Sequence, residues 1–202
     1  MVRRTRANMI EETRARLLAT ARQAFGTLGY ANTSMDDFTA EAGLTRGALY
    51  HHFGDKKGLL AAVVEQIDAE TDARLQAISD AAPDSWEGFR NRCRAYLEMA
   101  QEPEIQRIVL QDARAVLGGS TPASQQHCVN SMQRILDRLM QNGVVVRANS
   151  QALARLIGGS LAEAAFWIAE NNDSDIRLIQ ALNALEILLQ GMLITHVTDP
   201  AQ

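Results

Sequence analysis

The chain has 202 residues, 47% of them hydrophobic, enough for a real core in one large helical domain or in a small domain joined to a larger one. Its net charge of −4 excludes a chain that is basic throughout, but the charge is uneven: residues 1–57 hold nine Lys and Arg against six Asp and Glu, and residues 58–202 hold eleven against eighteen. A basic head on an acidic body is the asymmetry of a molecule that meets phosphates at one end.

Residues 1–8 form an arginine-rich arm. From Ile10 the apolar positions Leu17, Leu18, Ala21, Phe25 and Leu28 predict a helix, and Gly29 ends it. Ser34 is a good N-cap for a second helix, with Asp36 and Asp37 at its positive end and Met35, Phe38 and Ala42 on one face. Gly43 suits the left-handed turn that stops this helix, Leu44 plugs the corner, and Thr45 caps a third helix whose Ala48, Leu49 and Phe53 face back. Two short helices and a tight turn in this order predict a helix-turn-helix.

What the third helix leaves outside decides the chemistry. Arg46 can fork onto a guanine edge or a phosphate, Gly47 admits a close backbone, and Tyr50, His51 and His52 can donate to phosphate oxygens. Lys56 follows as a point charge, and Thr33, Ser34 and Thr45 stand at the helix starts. This set suits a helix docked in a major groove, with its flanks on the DNA backbone.

The run from Leu44 to Leu60, Leu-Thr-Arg-Gly-Ala-Leu-Tyr-His-His-Phe-Gly-Asp-Lys-Lys-Gly-Leu-Leu, resembles the recognition helix and following junction of the tetracycline-repressor (TetR) family. Leu17 to Tyr30 resembles the first helix and Gly-Tyr corner of the same family. Thr39 departs from the family's usual alanine, and its hydroxyl needs a carbonyl one turn back. The resemblance implies an all-α protein of about nine helices. It implies a three-helix DNA-binding domain over residues 9–57 and a larger helical effector-binding and dimerisation domain over residues 58–202. It further implies a repressor that binds a palindromic operator as a homodimer and is released by a small molecule. The alternatives are an activator with the same reader, or a helical ligand-binding protein that no longer reads DNA.

Beyond the reader, Asp55 caps a long helix to about Ala81, and Pro83 breaks it. A helix capped by Asp84 or Ser85 carries Trp86, Phe89, Cys93, Tyr96, Leu97 and Met99. After Pro103 a helix with Ile105, Ile108, Val109 and Leu110 is expected to end near Gly118-Gly119. Another runs through Met132, Ile135, Leu136 and Leu139 to Asn142-Gly143, and Val144–Asn149 reads as loop because no strand is evident to pair with it. Two apolar helices close the chain, from Ser150 to about Glu170 and from Ser174 to about Val197. A helix apolar on more than one face is buried on several sides, and here the expected cover is a second copy. Gly158, Gly159, Ala162, Leu185, Leu189 and Met192 are the expected dimer contacts.

The large side chains Trp86, Phe89, Tyr96, Met99, Phe166 and Trp167 are the candidates to line an effector cavity, which would favour an apolar or aromatic compound. Glu98, Asp112 and Glu163 could meet a positive group but suit capping or surface positions better. His51-His52, His127-Cys128 and His196 lack further ligands at metal spacing, and no phosphate loop or catalytic constellation is visible, so neither a metal, a cofactor nor an enzyme is expected. Cys93 and Cys128 match no metal or redox motif and are expected to be reduced, partly buried thiols. No stretch reads as a signal peptide or a membrane span, so a cytoplasmic protein is expected.

Overall fold

The computed structural model describes residues 6–41, 43–119, 121–170 and 173–194, and these are helical almost throughout. The α-helices are α1 (Arg6–Leu28), α2 (Met35–Glu41), α3 (Arg46–Phe53), α4 (Lys56–Asp80), α5 (Ser85–Met99), α6 (Arg114–Leu117), α7 (Pro122–Gln141), α8 (Ser150–Ala169) and α9 (Ser174–Gln190), with a π-helix at Ile105–Ala113 running into α6. The arginine-rich arm falls mainly outside the described residues, as do Ala42, His196 and Val197. By compactness the chain forms two units, residues 1–70 with 102–124, and residues 71–101 with 125–202. The first unit thus takes in, beyond residue 57, the first turns of α4 and the π-helix.

That unit is built on the apolar stripe of α1. Leu17, Ala21 and Phe25 are fully buried, and with Phe38 of α2, Leu49 of α3 and Leu59, Leu60, Val63 and Val64 of α4 they form one core. Ile108 and Ala113 of the π-helix complete it. Phe25→Ala should therefore lower stability by about 3–5 kcal/mol, read as a fall in the thermal midpoint, because the cavity opens where three helices meet. The turn follows from side-chain chemistry. The Ser34 hydroxyl accepts from the Asp37 N–H at 3.4 Å, and the Thr39 hydroxyl donates to the Met35 and Asp36 carbonyls, as the alanine-to-threonine departure required. Gly43 takes φ +63°, which L side chains adopt rarely, and the Leu44 N–H closes the corner onto the Thr39 carbonyl.

In the second unit Phe89, Cys93 and Leu97 of α5 are buried, as are Leu136 and Leu139 of α7, Ala154, Leu161, Ala165 and Ile168 of α8, and Ala181, Leu185 and Leu189 of α9. Asp84, not Ser85, caps α5, accepting from Trp86 and Glu87 at 2.9 Å. Arg92 is almost fully buried and pairs with Asp72. Burial works to raise the Asp72 pKa, but hydrogen bonds from Arg92 and His127 outweigh it and hold the carboxyl below its ordinary value. The two cysteines differ, contrary to expectation. Cys93 is buried, which pushes its thiol up to about 12, whereas Cys128 is exposed.

The helix after Pro103 ends at Gly118, at φ +84°, as expected, and within it Ile105–Ala113 is wound as a π-helix before Arg114–Leu117 returns to α. Two expectations are corrected here. Helix α9 ends at Gln190, because the chain turns back so that Leu193 makes an antiparallel bridge with Val145, the partner that the three valines lacked in sequence. Finally, α8 is long and apolar enough by length and composition to cross a membrane, against the expectation that no stretch is. Its charges are sparse, and small residues such as Gly158, Gly159 and Ala162 leave the rest of the helix apolar.

Candidate nucleic-acid interface

Helix α3 is short, and its fixed start defines the candidate site. Thr45 sits in extended backbone at φ −92° and its hydroxyl accepts the Ala48 N–H at 3.2 Å, so this cap holds the helix end in place. Leu49 is fully buried and anchors the inner face. The outer face carries Arg46, Gly47, Tyr50 and His51, all exposed, with His52 half-buried against Phe53 at a ring distance of 6.0 Å.

Arg46 reaches back to Asp36 of α2 at 3.1 Å and its guanidinium lies 5.9 Å from the Tyr50 ring centre. Both members of the Arg46–Asp36 pair are exposed, and an exposed ion pair contributes little, so the guanidinium can exchange Asp36 for a phosphate or a guanine at small cost. Gly47 is more telling. A Cβ there would meet only the Thr45 hydroxyl, at 3.8 Å, so the chain's own packing does not require glycine. Glycine in a helix costs up to about 1 kcal/mol relative to alanine, so the fold itself gains nothing from it here.

Two residues stand differently from expectation. Thr33 is buried and its hydroxyl donates to the Gly29 carbonyl at 2.8 Å, so it holds the turn after α1 and does not reach outward. Lys56 is half-buried, its ammonium 4.4 Å from the Tyr30 ring centre. Desolvation lowers its pKa, while Asp112 works in the other direction. Its point charge therefore sits at the Gly-Tyr corner, and the exposed neighbour Lys57 is the freer cation. Ser34 is exposed at the start of α2, where it serves as a cap.

The effector candidates do not converge. Phe89 and Met99 are buried in the second unit's core, Trp86 is half-buried with its ring centre 6.1 Å from that of Phe89, and Tyr96 and Phe166 are half-buried. Trp167 lies instead on an open groove of α8 with Arg155, Leu156, Gly159, Ser160, Glu163 and Ala164, under the Arg177 guanidinium at 5.1 Å. Among the described residues no three His, Cys, Asp or Glu are grouped to hold a metal ion.

The dimer candidates need a correction. Leu185, Leu189 and Met192 are buried inside the unit, so they belong to its own core. The exposed apolar residues of α8 and α9 are Leu156, Trp167, Ile176, Ile179, Ile187 and Leu188, with Ile187 72% exposed and Leu156 69%. Gly159 is exposed, Gly158 and Ala162 are half-buried, and a Cβ on either glycine would meet nothing within 4 Å. Periodicity marked both faces of α9 as apolar but could not say which one the chain covers itself.

Two family descriptions match this chain: "Bacterial regulatory proteins, tetR family" over residues 17–63 and "Tetracyclin repressor-like, C-terminal domain" over residues 86–192. The chain is 73% identical to a TetR-family transcriptional regulator of Pectobacterium atrosepticum known from its crystal structure, with a TM-score of 0.89 over 95% of this chain and 98% of that one. It is 27% identical to the transposon Tn10 TetC protein of Escherichia coli over 71% of this chain and 73% of that protein. With the HTH-type transcriptional regulator TtgR of Pseudomonas putida it shares 40% identity over 77 residues, which span 38% of this chain and 36% of that protein.

Proposed function

The chain belongs to the tetR family of bacterial regulatory proteins and is a DNA-binding transcriptional regulator, not an enzyme, and from that premise we propose that it is a cytoplasmic repressor acting as a homodimer and released by a small effector. The observation that carries this reading is the capped α3 with Arg46, Gly47 and Tyr50 exposed together on one face. Two such helices, about 34–36 Å apart in a two-fold dimer, would enter successive major grooves on one side of a palindromic operator. The apolar outer face of α8 and α9 supports the dimer: these side chains are exposed among the described residues, and two copies related by a two-fold axis would cover them for each other. An effector bound in the second unit, whose interior holds Phe89, Leu97 and Met99, would be an apolar or aromatic compound. It would shift the balance between two states by binding one of them better.

A gel shift with DNA from upstream of the protein's own gene tests the reader. Binding to that fragment should fall in the specific range, about 10⁻⁸–10⁻¹¹ M, and weaken as salt rises. Equal affinity for that fragment and for random duplex would overturn operator recognition. Transcription from the same promoter should rise when the gene is deleted; a fall would make the protein an activator.

A further inference from the structure

Arg92 of α5 is only 5% exposed, and an arginine at that depth needs acceptors for the donors of its planar fork. Nη2 donates to Oδ1 of Asp72 on α4 and, at 3.4 Å, to the Ser131 hydroxyl of α7. Nη1 is buried and meets no acceptor among the described residues. A carboxylate commonly faces a guanidinium with both oxygens, side by side. Asp72 offers Arg92 one, because its Oδ2 lies 3.1 Å from Nε2 of the exposed His127. The Ser131 hydroxyl, itself buried, accepts only the long contact from Nη2 and keeps its own proton to donate. Two donors, one of them on a permanent cation, therefore stand side by side in the interior of the second unit. Buried donors are costly to leave unmatched, and a cation's most of all.

Apolar bulk surrounds this pair. On α5, Phe89 stands three residues before Arg92, Tyr96 four after it and Met99 seven after it, which places all four on one helix face. Phe89 and Met99 are buried and Tyr96 is half-buried. On α7, Met132 and Ile135 follow Ser131 and are buried as well. Met99 and Met132 are unbranched side chains that adapt to a guest, so this interior can take in a ligand without breaking a helix. Charge narrows the ligand further. The one permanent cation of the cluster is already paired with Asp72, so a doubly charged phosphate would bring more negative charge than the cluster can balance. A single carboxylate brings one charge and two acceptor oxygens, one for each donor.

We propose that Arg92 Nη1 and the Ser131 hydroxyl form the polar end of the effector site, and that the effector is a monocarboxylic acid with an apolar or aromatic body. The proposal rests on the effector reading above and adds the chemical class of the ligand.

Calorimetric titration of the full-length protein with octanoate and 3-phenylpropionate, and with their primary amides, tests the assignment without DNA. At least one acid should bind ~10-fold or more tightly than its own amide, because hydrogen bonds to an ionised acceptor are roughly twice as strong as neutral ones. In Arg92→Lys the acid and its amide should come within about threefold of each other, since an ammonium held by Asp72 has no second nitrogen to offer. Ser131→Ala leaves the ion pair intact and should weaken the acid by about 3–10-fold and the amide less. A lesion of the fold would weaken acid and amide alike, so the ratio is the readout. If Arg92→Lys does not fold, the wild-type ratio and Ser131→Ala decide. Absence of binding by both acids, equal affinity for acid and amide in the wild type, or an undiminished preference in Arg92→Lys overturns the proposal. An acid that binds through Arg92 yet leaves the complex with operator DNA intact would count against release by an effector, while the carboxylate site itself would stand. Release of operator DNA by the amides as readily as by the acids would keep the effector reading and sink the carboxylate assignment.

Discussion

The double variant Arg46→Ala, Tyr50→Ala should lose at least ~1000-fold in operator affinity while keeping its thermal midpoint and its dimer mass. Both side chains are exposed, and the Arg46 ion pair with Asp36 is exposed too, so the fold loses little when they go. On DNA the balance is different. A forked arginine contact to a guanine is worth about 1–3 kcal/mol of discrimination, and a two-fold dimer on a palindrome makes each contact twice. A phosphate contact from the Tyr50 hydroxyl at each half-site would add to this, and since each 1.4 kcal/mol is tenfold in binding, about three decades is a modest expectation. Affinity for random duplex at low salt should fall far less, because many cations share that term. Anisotropy titrations on the operator fragment and on a scrambled one decide the matter. Equal losses on both fragments would mean that α3 grips the backbone without reading sequence, and unchanged operator binding would move the reader elsewhere.

The reader was legible in the sequence because its signals are local. Ser34, Gly43 and Thr45 act on backbone groups within a few residues, and the Thr39 hydroxyl finds its carbonyls within one turn. Phe38 and Leu49 show the inner faces of α2 and α3 directly, since short helices with polar outer faces leave one choice of orientation. The roles that could not be read depend on distant chain. Thr33 is consumed by the Gly29 carbonyl, and Lys56 lies over Tyr30 with Asp112 nearby, although Asp112 stands 56 positions further along. Val145 needed Leu193 as partner, and nothing near Val145 in sequence announces it. The π-helix is invisible for another reason. Its apolar residues Ile105, Ile108, Val109 and Leu110 fit α spacing as well, and the partners on either side of it, Arg22 for Glu104 and the Tyr30 N–H for Asp112, each lie 82 positions away in the chain. Helix α9 combines both difficulties: apolar on two faces, it offers Leu185 and Ile187 as equally good interface residues until the intrachain core has claimed one of them.

That distinction sets the second large expected effect. The double variant Ile187→Asp, Leu188→Asp should sediment as a monomer with helicity close to wild type. These side chains are 72% and 62% exposed, so charging them disturbs no core within the chain. In a two-fold dimer each new carboxylate would face its symmetry mate's apolar surface, unpaired and stripped of water, and such burial costs several kcal/mol per charge in practice. A standard interface hides about 800 Å² per partner, and four unpaired charges are enough to cancel what its apolar part supplies. Operator affinity should then fall by at least ~100-fold, because each reader binds its half-site alone and loses the high effective concentration that the linked copy gave it. Leu185→Asp is the informative contrast. Leu185 is buried in the unit's own core, so its charge should unfold the protein and depress the thermal midpoint, not merely split the dimer. If the Ile187, Leu188 variant stays dimeric at micromolar concentration, the exposed face of α9 is not where two copies meet. The apolar groove of α8 around Leu156 and Trp167 then becomes the surface on which a charge should be placed next.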